Sequence, residues 1–199
     1  MNDSDTQPHR GRLIRADKVM GATEIDAFLQ TTFCARIATV DAEGYPYIMP
    51  NLFTWLDGQV YLHTSRRPGH FIANVRHAQR VCVELDAPGE VFPYGHIECD
   101  TSVSYASVVL FGRIRVVESE EEQRRFFTAF MTKYAPADSW GREQGSFPRM
   151  GATVVYAIIP EVVTGKRGQL PAKSDQWPAR NLTLSPEWQP GAPRGNLSK

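Results

Sequence analysis

The stretch that decides the fold is Gln59–Val75, which reads QVYLHTSRRPGHFIANV. Its first five residues have the composition of a β-strand. Thr64 and Ser65 follow, either of which can cap a helix, and Pro68 suits a first helical turn, where its missing N–H costs little. A helix N-terminus attracts phosphate through its unpaired N–H groups and its positive dipole end. The stretch is therefore either an anion site or a solvated basic turn between two elements.

Two histidines flank this basic turn. Strand alternation places His63 on the same face as Tyr61, where it can contact a bound ring, relay protons, or serve as a hydrogen-bonded structural imidazole. His70 lies in the first turn of the predicted helix, where it can bond a phosphate or simply face solvent. The remaining histidines lack the spacing of a metal site: His9, His77 and His96. We therefore predict no metal.

Strand signals recur around this stretch at hairpin spacing. Residues 34–40 and 45–55 read as two strands joined by a tight turn, and Asp57–Gly58 is a strong hairpin turn into the opening stretch. Pro46 and Pro50 cannot donate ladder hydrogen bonds, so they predict an edge, a bulge or a ligand-facing side. Three strands in so short a span predict an antiparallel meander.

The second half of the chain adds more strands and one clear helix. Residues 80–85, 104–117 and 152–159 read as strands, and residues 86–100 read as a long loop. A capping box at residues 119–122 begins an amphipathic helix that ends at a proline. About six strands at hairpin spacing, with few helices, predict a mainly β fold, a six-stranded antiparallel barrel with peripheral helices.

Composition and charge limit the classes of function that this chain can have. The 199 residues predict one domain with tails, namely a disordered tail (1–12), the barrel domain (13–168) and a tail rich in proline and tryptophan (169–199). Lysine plus arginine balances aspartate plus glutamate at 22 each, which argues against nucleic acid as a partner. No apolar run approaches the roughly 20 residues that span a bilayer, and the N-terminus has no signal-peptide core. We therefore predict a cytoplasmic protein without a membrane partner.

Motifs for several common chemistries are missing from the sequence. It contains neither the GxGxxG and GxxxxGK[ST] fingerprints of nucleotide-binding folds nor the GxSxG elbow of hydrolases. Its three cysteines have no CxxC spacing and suit reduced, buried thiols better than a disulfide framework or a zinc site. They are Cys34, Cys82 and Cys99. A Rossmann, P-loop or triad site is therefore not supported.

The order of motifs matches that of a known family. Residues 36–86, RIATVDAEGYPYIMPNLFTWLDGQVYLHTSRRPGHFIANVRHAQRVCVELD, resemble the pyridoxamine 5′-phosphate oxidase-like FMN-binding split barrels. Residues 99–127, CDTSVSYASVVLFGRIRVVESEEEQRRFF, and VTGK at 163–166 continue the match. The sequence is most similar to the flavin-nucleotide-binding group that includes nitroimidazole-resistance proteins. The resemblance spans about residues 17–168 and rests on several loose motifs together.

This resemblance implies a six-stranded split barrel that forms a homodimer, with an FMN in each of two grooves at the interface. The phosphate site of the family matches the strand-to-helix turn, here His63, Thr64, Ser65, Arg66 and His70. The flavin ring is expected beside Pro50, Asn51, Leu52 and Phe53, where backbone groups meet the ring edge. The resemblance also places Tyr105 and Ser107 near the groove.

One departure from the family pattern concerns the phosphate. Close members often carry a lysine directly after the residue that matches His70, whereas this chain has Phe71. One cationic contact is then missing. Either Arg66 or Arg67 replaces it, or FMN binds weakly, or the groove prefers another ligand.

The function implied is that of an FMN-dependent oxidoreductase. The flavin would accept a hydride from NAD(P)H and reduce a small organic acceptor, as a nitroreductase does, with the redox chemistry belonging to the cofactor. His63 is the candidate catalytic residue near the ring. The alternative is a non-catalytic protein that binds or senses flavin, deazaflavin or haem in the same groove, and a third reading is a barrel that serves only dimerisation.

Overall fold

The computed structural model describes residues 10–92, 97–136 and 147–170. Within them a single antiparallel sheet has the strand order β2-β1-β5-β6-β7-β4-β3. The strands are β1 (Ala35–Val40), β2 (Pro46–Asn51), β3 (Phe53–Leu56), β4 (Gln59–Ser65), β5 (Arg80–Phe92), β6 (Ser102–Val116) and β7 (Thr153–Gly168). The helices are α1 (Ala22–Thr31), α2 (His70–His77) and α3 (Glu120–Tyr134). Of the predicted tails, residues 1–9 and 171–199 lie outside the described residues, so the domain boundaries stay predictions.

The predicted strand at residues 45–55 is two strands that break at Leu52. β2 pairs with β1 at one edge of the sheet, and β3 pairs with β4 at the other. Because Leu52 alone separates β2 from β3, the sheet must curl until its two edges come together. The result is a split barrel, which confirms the predicted mainly β fold. The sheet has seven strands rather than six, because the segment predicted as one strand contributes β2 to one edge and β3 to the other.

β5 is longer than predicted. Residues 86–100 were expected to form a loop, but β5 continues to Phe92 and pairs with β6, with a bulge between Pro88 and Val91. The bulge accommodates the proline and glycine that suggested a turn. A Cβ added to Gly89 would lie 2.3 Å from Ser104 Oγ and 3.2 Å from the Ser104 carbonyl oxygen, so a larger residue would require Ser104 to shift.

β7 likewise continues beyond its predicted end at Ile159. The ladder with β6 shifts register beside Gly112 and then runs on to Gly168, so Pro160 sits at a bulge and does not end the strand. A Cβ on Gly112 would lie 2.3 Å from the carbonyl oxygen of Ile159. Glycine at this position therefore lets the two backbones approach across the irregular pair.

Two apolar cores hold the fold together. The larger core fills the inside of the barrel, and its fully buried side chains include Ile37, Phe53, Leu62, Leu85, Leu110 and Ile158. The smaller core lies between the outer face of the sheet and α3, and it consists of Tyr61, Val117, Phe126, Val155 and Ala157. The predicted α3 is confirmed, since Ser119 caps it by accepting a 3.3 Å hydrogen bond from the N–H of Glu122.

α2 begins later than the sequence predicted. Its first residue is His70 and its N-cap is Gly69, whereas Thr64 and Ser65 remain in β4 and Pro68 precedes the helix. α2 covers one end of the barrel. No helix of the described residues is long and apolar enough to cross a bilayer.

Candidate functional site

The turn between β4 and α2 is held against the start of β7 by Arg66. Its N–H donates to the carbonyl of Ala152 at 3.1 Å, and its guanidinium donates to the carbonyls of Gly151 at 2.9 Å and Thr153 at 3.2 Å. The guanidinium is therefore engaged by backbone carbonyls. Of the two arginines in the turn, Arg66 fixes the local structure.

Arg67 is the free cation of this turn. Its side chain is exposed and makes no ion pair or hydrogen bond with any residue that the structure describes. It precedes the N-terminus of α2, where the first intrahelical bond runs from the N–H of Ala73 to the carbonyl of Gly69 at 3.1 Å. The N–H groups of His70, Phe71 and Ile72 therefore have no intrahelical partner. A guanidinium beside unpaired N–H groups is suited to an anion.

Phe71 occupies the position where the sequence resemblance led us to expect a lysine. Its side chain is 4% exposed and belongs to the barrel core, with its ring edge-to-face against Tyr156 at 5.5 Å between centroids. A side chain at this position points inward. The core contact explains why an apolar residue fits here, and the nearby exposed cation is Arg67.

β2 comes alongside this turn through two contacts. The side-chain amide of Asn51 donates to the backbone carbonyl of His63 at 2.9 Å. The ring of Tyr47 stacks on His70 at 4.5 Å between centroids, and His70 Nε2 lies 3.9 Å from a carboxylate oxygen of Asp41. The structure thus brings the predicted ring side of the groove next to the predicted phosphate side.

The outer edge of β2 has few backbone donors. The hydrogen bond from Asp41 N–H to Tyr45 O sets the phase of the β1–β2 ladder, so the odd-numbered residues of β2 bond to β1 and the even-numbered ones face the open edge. Those even-numbered residues are Pro46, Ile48 and Pro50. Two of the three lack an N–H, which leaves the N–H of Ile48 as the edge donor between them. Of the alternatives that the prolines left open, the structure shows the edge position.

The imidazole of His63 lies beneath α3. Its centroid is 5.8 Å, 5.6 Å and 5.2 Å from the rings of Phe126, Phe127 and Phe130. Its Nδ1 is buried without a hydrogen-bond partner among the residues that the structure describes, and burial lowers the pKa of the imidazole from its ordinary value. The ring therefore points to the outer face of the sheet, whereas alternation directs Thr64 to the other face.

Phe53 is bound at the other end of α3. Its side chain is fully buried in the barrel core. Its N–H donates to the hydroxyl of Tyr134 at 3.1 Å, and that oxygen lies 2.8 Å from the carbonyl of Phe53 and 2.7 Å from the carbonyl of Phe33. Tyr134 is the last residue of the amphipathic helix that the sequence predicted, where it continues the apolar stripe of that helix. A phenol at the end of such a stripe needs a polar partner when buried, and that is the signal that sequence reasoning missed.

Tyr105 and Ser107 lie apart from this cluster within one chain. Tyr105 pairs with Gly168 at the end of β7, whereas Ser65 pairs with Thr153 at its start. The length of β7 separates the two groups. The structure therefore brings together β2, the end of β4 and the N-terminus of α2, and it leaves the two β6 residues at a distance.

The described residues contain no group of three or more His, Cys, Asp and Glu side chains arranged to hold a metal ion. The three cysteines are free thiols, of which Cys34 and Cys82 are half-buried. Cys99 is exposed, contrary to the expectation of buried thiols. Its place in a short 3-10 turn between β5 and β6 explains that exposure.

The sequence matches the family described as pyridoxamine 5′-phosphate oxidase over residues 21–167. The chain belongs to this family. The predicted family, and with it the split barrel, is confirmed. The search of curated proteins found no match.

Several solved structures share the fold at low sequence identity. A candidate 5-nitroimidazole antibiotic resistance protein from Bacteroides thetaiotaomicron is 21% identical with a TM-score of 0.62, over 75% of this chain and 86% of its own. A flavocytochrome from Azotobacter vinelandii is 17% identical with a TM-score of 0.70, over 95% and 94%. An FAD- and haem-binding protein from Mycobacterium smegmatis is 21% identical with a TM-score of 0.66, over 90% and 94%. These likenesses show the fold alone.

Proposed function

We propose that this chain is a flavin-binding oxidoreductase of the pyridoxamine 5′-phosphate oxidase family, with FMN as its cofactor. The observation that carries the proposal is the meeting of β2 with the β4–α2 turn, joined by the Asn51 bond to the His63 carbonyl and the Tyr47–His70 stack. This puts an open strand edge next to a free guanidinium and a helix N-terminus. A flat ring that carries a phosphate on a short chain needs both features.

The residues present fit a flavin phosphate. Arg67 supplies a cation without a competing partner among the described residues, the N-terminus of α2 supplies N–H donors, and Ser65 is exposed at the end of β4. Along β2, carbonyls and the N–H of Ile48 face the open edge and suit a ring edge that has both donors and acceptors. One guanidinium and one helix N-terminus match a single terminal phosphate, which favours FMN over FAD.

A homodimer would complete this site. Tyr105 and Ser107 cannot reach the β4–α2 turn of their own chain, so a second copy would have to supply them. Large apolar side chains that the structure leaves exposed on outward strand positions support such an interface: Val40, Ile48, Val103 and Ile159. The homodimer is therefore part of the proposal.

When bound, the flavin would supply the redox chemistry, with NAD(P)H as the electron donor and a small organic molecule as the acceptor. The chain's own role would be to bind the phosphate, orient the ring along β2 and limit water in the groove. That His63 contacts the ring stays a prediction. Its carbonyl, which holds Asn51, ties it to the groove more directly than its imidazole does.

The test is purification without added ligand, followed by native mass spectrometry and a visible absorption spectrum. We expect a dimer that carries two FMN molecules, and bleaching of the oxidised flavin bands when NADH or NADPH is added without oxygen. A colourless protein that neither binds nor is stabilised by FMN or FAD would refute the proposal. A flavin that no nicotinamide reduces would instead favour a non-catalytic flavin or deazaflavin carrier.

A second candidate function is haem binding or sensing. The observation that favours it is the unpartnered Nδ1 of His63 among three phenylalanine rings, because imidazole in apolar surroundings is a common haem ligand. Two structures that share the fold are named as a flavocytochrome and as an FAD- and haem-binding protein. Haem titration followed in the Soret region tests this candidate, and His63→Ala should then abolish the band.

A further inference from the structure

One side chain takes the place of a neighbouring strand at the edge of the sheet. β3 is an edge strand, and the N–H of Phe53 donates to the hydroxyl of Tyr134 at 3.1 Å. The single proton of that hydroxyl is shared between the carbonyls of Phe53 at 2.8 Å and Phe33 at 2.7 Å. The N–H and carbonyl of Phe53 therefore point to the open edge and away from β4. They are the groups that a further strand would use to extend the sheet. Burial raises the pKa of Tyr134 to about 12, so the hydroxyl stays protonated and can donate.

The same turn of α3 also holds the ring of Phe53. Lys133 Nζ lies 3.8 Å from the centroid of that ring and 3.4 Å from the carbonyl of Leu29 at the end of α1. The ring of Tyr134 packs edge-to-face on Phe33 at 5.5 Å. Phe53 is thus fixed through its backbone by Tyr134 and through its ring by Lys133.

Phe53 directly follows Leu52, where the chain leaves the ladder of β1 and enters that of β4. Fixing Phe53 therefore fixes the end of β2, including Pro50 and Asn51. Because the edge groups of Phe53 are already bonded, β3 is not free to pair with another strand at this residue. β2 and β3 therefore meet at Leu52 without pairing with each other, and the edge of β2 stays open.

We propose that Tyr134 is a positioning residue for the flavin ring, because its hydroxyl holds the strand break at Leu52 and thereby sets the backbone of residues 50–52 along the groove. The inference rests on the proposed function. Tyr134 acts through Phe53 and does not touch the ring itself. It is distinct from the residues that the sequence singled out for the cofactor.

The experiment compares Tyr134→Phe with Tyr61→Phe. Each variant removes one phenol hydroxyl that joins α3 to the barrel, since the Tyr61 hydroxyl donates to the Glu122 carboxylate at 2.7 Å at the other end of the helix. Both variants should lower the melting temperature. FMN affinity, the visible circular dichroism of bound FMN and hydrogen exchange of the Phe53 amide are then measured for both.

We expect Tyr134→Phe to weaken FMN binding about tenfold, to change the visible circular dichroism and to speed exchange at the Phe53 amide. Tyr61→Phe should leave all three at the wild-type level. Equal loss of FMN affinity in both variants, or an unchanged spectrum and affinity in Tyr134→Phe, would overturn the inference. If wild-type protein binds neither FMN nor FAD, the proposed function fails first, and the exchange data then report only a structural contact.

Discussion

The side-chain amide of Asn51 donates to the backbone carbonyl of His63 at 2.9 Å. This bond joins an edge strand to the strand that leads into the β4–α2 turn, although β2 and β4 are not neighbours in the sheet. This hydrogen bond fixes the shape of the groove between the two barrel edges. The same bond gives the first prediction.

Asn51→Ala should weaken FMN binding and lower the free energy of unfolding by about 1 kcal/mol, because one hydrogen bond is lost at a half-buried site. Gln123→Ala is the matched control, since its amide donates to the backbone carbonyl of Val117 at 2.8 Å, away from the groove. Thermal unfolding and FMN titration on both variants separate the two effects. Equal FMN affinities in the two variants would contradict a role of Asn51 in the groove.

Arg67→Ala should reduce FMN affinity about tenfold with little change in stability, because its guanidinium is exposed and free of partners among the described residues. Arg66→Ala should instead lower the melting temperature, because Arg66 holds the carbonyls of Gly151 and Thr153. Titrations at low and high salt provide the measurement. The loss should shrink at high salt, since screening weakens an exposed charge–phosphate contact. Arg76→Ala, at the far end of α2, serves as the control.

Phe71→Lys should destabilise the protein and should not restore the family's phosphate contact. The side chain at this position lies in the barrel core against Tyr156, so a lysine would bury its charge and leave a void. We expect a loss of about 3 kcal/mol or more in urea unfolding. Phe71→Leu, which keeps the position apolar, should cost less. Tighter FMN binding by Phe71→Lys at unchanged stability would refute this interpretation of the core position.

Acid should destabilise the fold through His63. Burial lowers the pKa of its imidazole below the ordinary value of 6.5, so between those two values the unfolded chain binds a proton that the folded chain does not. The contribution of His63 to stability is therefore fully present above about pH 6.5 and decreases as the pH falls toward the folded-state pKa.

Urea unfolding from about pH 8 to about pH 5 tests this dependence, with His63→Phe and the exposed His77→Phe as matched variants. The first should flatten the slope below neutrality, and the second should leave it in place. A wild-type slope in His63→Phe would show that other groups are responsible.

Local chemistry made several parts of the fold predictable. The capping residue Ser119 and the helical spacing of the phenylalanines that follow it define α3 without reference to the rest of the chain. Pro46 and Pro50 lack N–H groups, so they limited their strand to an edge, a bulge or a ligand-facing side. The length of β5 could not be predicted in the same way, because Pro88 and Gly89 are typical of a turn until β6 supplies the partner that accommodates them in a bulge.

The position of the candidate site in the sequence could be predicted, whereas the roles of its residues were harder to predict. The sequence placed Arg66 and Arg67 beside a helix N-terminus, but both arginines look alike until Gly151 and Thr153 are seen to engage the first. The face of His63 followed from alternation. That this face is covered by α3 depends on residues more than sixty positions away.

The sequence by itself determined the mainly β class, the family and the limits of α3, because periodicity and capping act within a few residues. Only the tertiary structure decided the strand break at Leu52, the hydrogen bonds between Tyr134 and Phe53, and the hydrogen bonds from Arg66 to backbone carbonyls. Each of these depends on which backbone groups, distant in sequence, need hydrogen-bond partners once the sheet has curled. No local sequence pattern predicts that requirement.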